Sequence, residues 1–382
     1  MIQGHGDDRY RFGRHMVADF SSNVYSHVDL APLKAHLCER LDLIGRYPEP
    51  EPYSLEKALA ARLAIDPAAI CVTSGATEAI YLIAHAFQGS HSTILAPTFS
   101  EYADACALYA HSTALVFVPA GRNNAVQPEN HPLFRSLLQG ENRSECSGGW
   151  YPAQRPFFGS KTDTRAAKRA LLWLCNPNNP TGTVIPKDEL VAAIEENPET
   201  LFVIDQSYGF FTQEPLLSAS EVVRYPNVLQ LHSMTKRYAM PGLRLGYVTG
   251  QAALIEKIRA VRMPWSVNAL AIEAGRYLAE HPDTAPIDLS ALLAETQRLR
   301  DQLNEIPGLT AEPTRTHFFL CHLKRGRAAN LKQRLAEENG LLIRDAANFE
   351  GLEEGHFRIA TQTPEENDLV VKAIRDILKT NG

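Results

Sequence analysis

Between residues 68 and 249 the chain alternates short apolar runs with amphipathic stretches of helical period. The runs at 70–73, 92–96, 114–118, 170–174, 202–205, 228–231 and 246–249 are too short for helices and rich in Val, Ile, Leu and Phe, so they read as strands. Such runs separated by amphipathic segments predict a mostly parallel sheet covered by helices. Polar clusters follow several of the runs. Ligands of open α/β sheets gather at the carboxyl ends of the strands, so these clusters are expected to converge in space. From residue 270 the pattern changes: helical periodicity at 291–303 and 330–339 flanks a short strand at 317–320, and another strand follows at 357–360. This predicts a smaller α+β unit. The expected division is an amino-terminal arm with part of the small domain (1–44), a large domain (45–265) and a carboxy-terminal small domain (266–382). Residues 141–161, with Gly148-Gly149, Pro152, Pro156 and Gly159, break the rhythm and read as an extended excursion. No internal repeat is present.

Composition adds exclusions. The 382 residues are 45% hydrophobic and 21% charged, ordinary values for a globular protein of two domains, with a net charge of −6. A mildly acidic chain without a basic tail argues against nucleic acid as the main partner. The amino terminus lacks the apolar core of a secretory signal and no apolar run is long enough to cross a bilayer, so a cytoplasmic protein without membrane contact is expected. Six cysteines (Cys38, Cys71, Cys106, Cys146, Cys175 and Cys321) are widely spaced with no CxxC pair. They read as isolated reduced thiols, and no metal site is expected.

The most informative run is Ser233-Met234-Thr235-Lys236-Arg237-Tyr238-Ala239-Met240-Pro241-Gly242-Leu243-Arg244. A lysine amine condenses with an aldehyde, and it becomes a useful base when burial and a neighbouring cation lower its pKa. Arg244 would supply that cation, while Ser233 and Thr235 would bind an anion. Alone, the run is equally a basic surface turn. Its company changes the balance. Ser74-Gly75-Ala76-Thr77 joins a strand to a helix start, where free N–H groups and the helix dipole suit a phosphate, although it is also an ordinary capped turn. Asn176-Pro177-Asn178-Asn179-Pro180-Thr181-Gly182 holds three amides in a stiff loop, a setting suited to bonding a phenolate oxygen. Asp205 ends an apolar strand, where a buried carboxylate needs a partner; a protonated heterocyclic nitrogen would serve and would keep a pyridine ring able to accept electrons. Tyr208 follows three residues later.

These motifs, in this order and spacing, resemble the pyridoxal-phosphate enzymes of the aspartate aminotransferase fold over nearly the whole chain. Within that group the likeness is first to the threonine-phosphate decarboxylases of cobalamin biosynthesis and second to the histidinol-phosphate aminotransferases. It rests on the lysine run, on Met263-Pro264-Trp265-Ser266-Val267-Asn268-Ala269-Leu270-Ala271 and on His5-Gly6 ahead of Asp19-Phe20-Ser21-Ser22-Asn23. The resemblance implies an α/β fold of type I: a three-layer α/β/α large domain around a mostly parallel seven-stranded sheet, binding pyridoxal 5'-phosphate, with a smaller α+β domain. It implies that Lys236 carries the cofactor covalently and shuttles a proton, that Asp205 pairs with the pyridine nitrogen, and that Asn179 and Tyr208 bond the phenolic oxygen. Phe99 would stack on the ring. Gly75, Ala76, Thr77, Ser233, Thr235 and Arg244 would hold the cofactor phosphate, and Tyr47 would reach the site of the neighbouring subunit, which implies a homodimer with shared active sites. Arg358 would grip the substrate carboxylate, Asn23 would lie at the substrate end, and His5 and Arg344 would serve the phosphate of a phosphorylated amino acid.

The expected reaction is decarboxylation of L-threonine O-3-phosphate, with transamination of histidinol phosphate or another amino acid as the alternative. A ligand-sensing domain without catalysis is a remote third reading, since the site motifs begin too early for an amino-terminal DNA-binding extension. The chain departs from the pattern in three places: Asp205-Gln206-Ser207-Tyr208 replaces the usual Asp-Glu-Ala-Tyr, Ala360-Thr361-Gln362-Thr363 follows Arg358 without a second arginine, and Asp7 follows His5-Gly6.

Overall fold

The computed structural model describes residues 6–13, 15–118 and 170–380. His5 and the 141–161 segment lie outside the described residues. Seven strands, β2 (Ile70–Thr73), β3 (His91–Ala96), β4 (Ser112–Phe117), β5 (Ala170–Cys175), β6 (Thr200–Asp205), β7 (Val228–Ser233) and β8 (Gly246–Gly250), form one sheet in the order β2-β8-β7-β6-β5-β3-β4. All pairs are parallel except those made by β8, which runs antiparallel to both neighbours. The central strands are mostly apolar because both faces are covered. Leu171, Trp173, Leu201, Val203, Leu229 and Val248 pack under helices Gly75–Ala86 and Ala252–Arg259 in one cluster, while Leu172, Leu174, Phe202 and Ile204 pack against helix Lys187–Glu196 in another. Each of the seven strands coincides, within two residues at either end, with an apolar run in the sequence.

The edge at β2 is closed by charge. Val72 donates its N–H to Glu56 Oε1 (3.1 Å), and its carbonyl accepts from Arg262 Nη1 (3.0 Å), while the Ile70 carbonyl accepts from Arg259 Nη2 (2.7 Å). Glu56 in turn accepts from both arginines, at 3.0 and 2.8 Å. An open edge presents unpaired backbone groups to other chains, and this buried ion cluster occupies them.

The remaining strands build a second unit. Strands β9 (Leu309–Ala311), β10 (Phe318–Leu323), β12 (Arg344–Asp345) and β13 (His356–Ala360) form an antiparallel sheet in the order β12-β13-β10-β9. Helices Leu289–Asn304 and Pro364–Thr380 pack on it through Leu299, Leu303, Val370 and Ile374. The amino-terminal β1 (Ala18–Asp19) pairs with β11 (Leu341–Leu342), so the start of the chain is built into the unit formed by its end. The helical pattern at 330–339 resolves into helix Ala328–Arg334 and a wider turn, Leu335–Asn339. The described cysteines are all free. No described helix is long and apolar enough to cross a membrane.

Candidate active site

A cavity of about 270 Å³ opens where the carboxyl ends of β2, β3, β5, β6 and β7 face the small unit. Ala76, Thr77, Phe99, Asn179, Asp205, Tyr208, Ser233, Thr235, Lys236, Arg244, Arg344 and Arg358 all line it. Segments more than 280 residues apart in sequence therefore meet here, as the sheet rule requires.

Lys236 lies on a short helical turn, Met234–Arg237, directly after β7. Its Nζ donates to the Ser22 carbonyl at 3.2 Å, and the side chain is half-buried. Desolvation, with Arg358 and Arg244 nearby, lowers its pKa from the ordinary 10.5 to about 8. Between about pH 8 and 10.5 the unfolded chain holds a proton that the folded apoprotein lacks, so the stability of the apoprotein rises with pH across that window. The same shift makes a reactivity prediction. Labelling of Lys236 in the apoprotein by an amine-directed reagent, mapped by mass spectrometry against pH, is expected to reach half its maximal rate near pH 8; a midpoint near 10.5 would contradict it.

Asp205, buried at the end of β6, accepts from the Tyr102 hydroxyl at 2.7 Å and from the Ser207 N–H at 2.8 Å. Burial raises its pKa above the ordinary carboxylate value, with those donors opposing. Tyr102 was missed by the sequence reading. It lies three residues beyond Phe99, and its ring sits edge-on to Phe99 with centroids 6.0 Å apart.

The loop after β5 spends its three asparagines unequally. Asn176 exchanges bonds with Ile185, donating to its carbonyl (3.1 Å) and accepting its N–H (2.9 Å), and Asn178 donates to the Pro97 carbonyl (2.9 Å) and Thr181 Oγ1 (2.9 Å). These two amides hold the loop itself. Asn179 alone lines the cavity, where its Oδ1 accepts from Arg358 Nη1. Tyr208 stands beside it, its pKa raised by burial to about 12.

Opposite the helix start at Gly75, Arg244 occupies a left-handed backbone conformation (φ 55°), and Ser233 Oγ and Thr235 Oγ1 lie 2.7 Å apart. A Cβ built on Gly75 would come within 2.6 Å of Arg244 Nη2, and φ is +84° there, so only glycine admits this approach. The first N–H groups of the helix Gly75–Ala86, two hydroxyls and a guanidinium thus surround one corner, a donor set suited to a phosphate.

Two more arginines close the far end. Arg344 and Arg358 are cross-strand partners on β12 and β13, and each is 4% exposed. Arg358 also donates to the Ser21 carbonyl, and its Nε has no hydrogen-bond partner. Arg344 donates to the Asp345 carbonyl (2.7 Å) and Asn348 Oδ1 (2.8 Å). Burial lowers both pKa values to about 10, and for Arg344 the neighbouring Arg358 adds to the effect. Neither makes an ion pair with a carboxylate among the described residues. Removing a guanidinium from water costs several kcal/mol unless it is paired, so two adjacent unpaired ones mark a place prepared for anions.

Asn23 and Tyr47 are not among the residues that line this cavity. Asn23 is fully buried, its amide has no hydrogen-bond partner among the described residues, and its side chain adjoins that of Tyr208, which lines the cavity. Tyr47 is 87% exposed, packs against Trp265 with centroids 5.6 Å apart, and is remote from the cavity of its own chain. His5 lies outside the described residues. The arm beyond it does reach the site: Gly6, Asp7, Ser21 and Ser22 line the cavity, and Asp8 is tied to Lys332 by an ion pair of 2.6 Å. Asp7, the departure from the family pattern, faces the cavity and is held by Arg9.

The donor set fits pyridoxal phosphate on this geometry alone: an amine of lowered pKa, a buried carboxylate, a phosphate corner and an amide beside a phenol. Comparison with known proteins agrees. The model of the family "Aminotransferase class I and II" matches residues 16–374. Threonine-phosphate decarboxylase of Salmonella typhimurium is 29% identical over 364 residues, covering 94% of this chain and 91% of that protein. Histidinol-phosphate aminotransferase of Caldanaerobacter subterraneus is 27% identical over 337 residues, covering 88% and 85%. Among solved structures, that of L-threonine-O-3-phosphate decarboxylase from Porphyromonas gingivalis is 36% identical, with a TM-score of 0.80 over 94% of this chain and 99% of that one. The chain therefore belongs to the aminotransferase class I and II family, and it is an enzyme whose cofactor is pyridoxal 5'-phosphate.

Proposed function

We propose that the protein decarboxylates L-threonine O-3-phosphate to (R)-1-aminopropan-2-ol phosphate. The observation that carries this reading is the buried pair Arg344 and Arg358, which asks for a substrate with two anionic groups. Threonine phosphate has a carboxylate and a phosphate. Histidinol phosphate, the substrate of the alternative aminotransferase reading, has a phosphate and no carboxylate, and in that reaction only the dicarboxylic oxo acid would engage both guanidiniums. The likeness to the Porphyromonas gingivalis decarboxylase supports the same choice.

In this reading Gly75, Ala76, Thr77, Ser233, Thr235 and Arg244 hold the cofactor phosphate, Phe99 stacks on its ring, Asn179 and Tyr208 bond its phenolic oxygen, and Asp205 keeps its pyridine nitrogen protonated. Bound there, the cofactor supplies an aldehyde for the substrate amine and a sink for the electron pair released at Cα. Everything else is orientation and proton transfer by the chain. Which bond breaks at Cα would depend on how the chain orients the substrate. If only the carboxylate were gripped, the Cα–H bond would be free to react, and transamination would follow. Arg344 on the substrate phosphate and Arg358 near the carboxylate would fix both ends, so that binding energy from the remote phosphate favours release of the carboxylate. When carbon dioxide has left, Lys236 Nζ, the amine that lines the cavity, would deliver a proton to Cα. The arm at Gly6 and Asp7, anchored by Asp8 on Lys332, shields the site from water.

Incubation with threonine phosphate, without and with 2-oxoglutarate, separates the two chemistries. Carbon dioxide release that needs no oxo acid is expected; glutamate formation that depends on it would replace this reading with the aminotransferase one.

The active unit is a homodimer in which Tyr47 reaches the cofactor phosphate of the partner subunit. Its support is the exposure of Tyr47 together with Ile44, Tyr53, Met263 and Trp265, an apolar group that solvent alone would not favour. Ile44→Asp, outside the cavity, is expected to shift sedimentation from dimer to monomer and to lower turnover with it; an unchanged dimer would count against this surface.

A further inference from the structure

We propose that His322, Glu353 and His356 form a binding site for a divalent transition-metal ion of the zinc, nickel or copper kind, separate from the cofactor cavity. One nitrogen of each imidazole and one carboxylate oxygen of Glu353 lie within 4.8 Å of one another. None of the three lines the cavity that holds Lys236.

The fold brings them together by strand pairing. His322 on β10 and His356 on β13 are direct cross-strand partners, so their side chains leave the same face of the sheet, and their ring centroids stand 4.3 Å apart. Glu353 arrives from the turn before β13 and places Oε2 3.5 Å from His322 Nε2. That turn is tight because position 355 is glycine: a Cβ there would lie 2.7 Å from the Leu323 carbonyl and 3.2 Å from the His322 ring. The side chain of Glu353 is 80% exposed and that of His322 is 31% exposed, so an ion has open access and water can complete its coordination.

The turn also fixes the His356 ring: its Nδ1 accepts from the Glu353 N–H at 3.0 Å and lies 3.2 Å from the Glu353 carbonyl oxygen. A metal on Nε2 moves the ring proton to Nδ1, where the Glu353 carbonyl oxygen accepts it in exchange for the bond from the Glu353 N–H. Two imidazoles and one carboxylate suit zinc, nickel or copper and do not suit magnesium or calcium, which prefer all-oxygen sites.

The test is a zinc titration of the untagged holoenzyme in competition with a chromophoric chelator. Wild-type protein is expected to bind one equivalent per chain in the micromolar range, with affinity reduced at least about 10-fold in His322→Ala and in Glu353→Gln. Glu353 is exposed, so its variant keeps the fold whatever happens at His322, and metal-free unfolding curves check both. Retention of the same equivalent at the same affinity in both variants would overturn the proposal, as would the absence of saturable zinc binding in the wild type. Magnesium in place of zinc is expected to leave the chelator signal unchanged.

Discussion

Replacing Lys236 with alanine is expected to slow carbon dioxide release from threonine phosphate by at least about 10²–10⁴-fold, the range ordinarily supplied by one positioned proton-transfer group, and to end covalent retention of the cofactor. The two losses have one cause. Lys236 Nζ is the only amine among the described residues that lines the cavity, and no neighbouring group has a pKa suited to replace it: His317 is held neutral by burial at a pKa of about 3, and Tyr208 is held protonated at about 12. Fold stability is expected to move the other way. The amine stands in a field of Arg358 and Arg244 and makes one hydrogen bond, to the Ser22 carbonyl, so its removal relieves repulsion and desolvation at the cost of that bond. The apoprotein of the variant should therefore melt no lower than the wild-type apoprotein at neutral pH. Borohydride treatment followed by gel filtration, which fixes the cofactor to the wild-type chain, should leave the variant colourless. A variant that turned over at the normal rate would refute the role assigned to this lysine.

The strands were legible because both faces of the large sheet are covered and each strand carries a short apolar run; Trp173 and Phe202 have no polar neighbour in sequence to blur the signal. Asp205 and Lys236 were legible for the complementary reason, since a charge at the end of such a run needs chemistry to explain it. Other features were not. Asn176 and Asn178 look no different from Asn179 in a string of letters, and only the loop's folding separates the amides that brace it from the one that faces the cavity. Tyr102 reads as a core aromatic within a helix, and its bond to Asp205 spans 103 residues. The pairing of His322 with His356 is likewise a product of strand register, which no local spacing reveals. In the string Ser21-Ser22-Asn23 the backbone carbonyls of Ser21 and Ser22 accept from Arg358 and Lys236, contacts that no side chain in the sequence announces.

Truncating the two substrate-end arginines separately should divide recognition of the substrate into its parts. Leaving one member of a buried charged contact unpaired costs about 2–5 kcal/mol, or roughly 30- to 4,000-fold in kcat/KM. For Arg344→Ala this loss should appear with threonine phosphate and nearly vanish with unphosphorylated threonine, because the deleted group serves the phosphate. The lost phosphate grip should also release the carboxylate from its imposed orientation, so the residual activity should show more amine transfer to an added oxo acid per carbon dioxide released. Arg358→Ala should penalise both substrates. Its Nη1 and Nη2 also hold Asn179 and the Ser21 carbonyl, so that variant should in addition loosen the cofactor, measurable as faster loss on dialysis. Arg358→Lys should recover little, since a point charge cannot hold an amide, a backbone carbonyl and a carboxylate from one planar fork. The contrast guards against a merely structural explanation: damage to the fold would lower activity on phosphorylated and unphosphorylated substrates alike, whereas loss confined to the phosphorylated one follows only if Arg344 touches the phosphate. Equal losses on both substrates in Arg344→Ala would remove that contact from the account, and with it the reason for choosing decarboxylation.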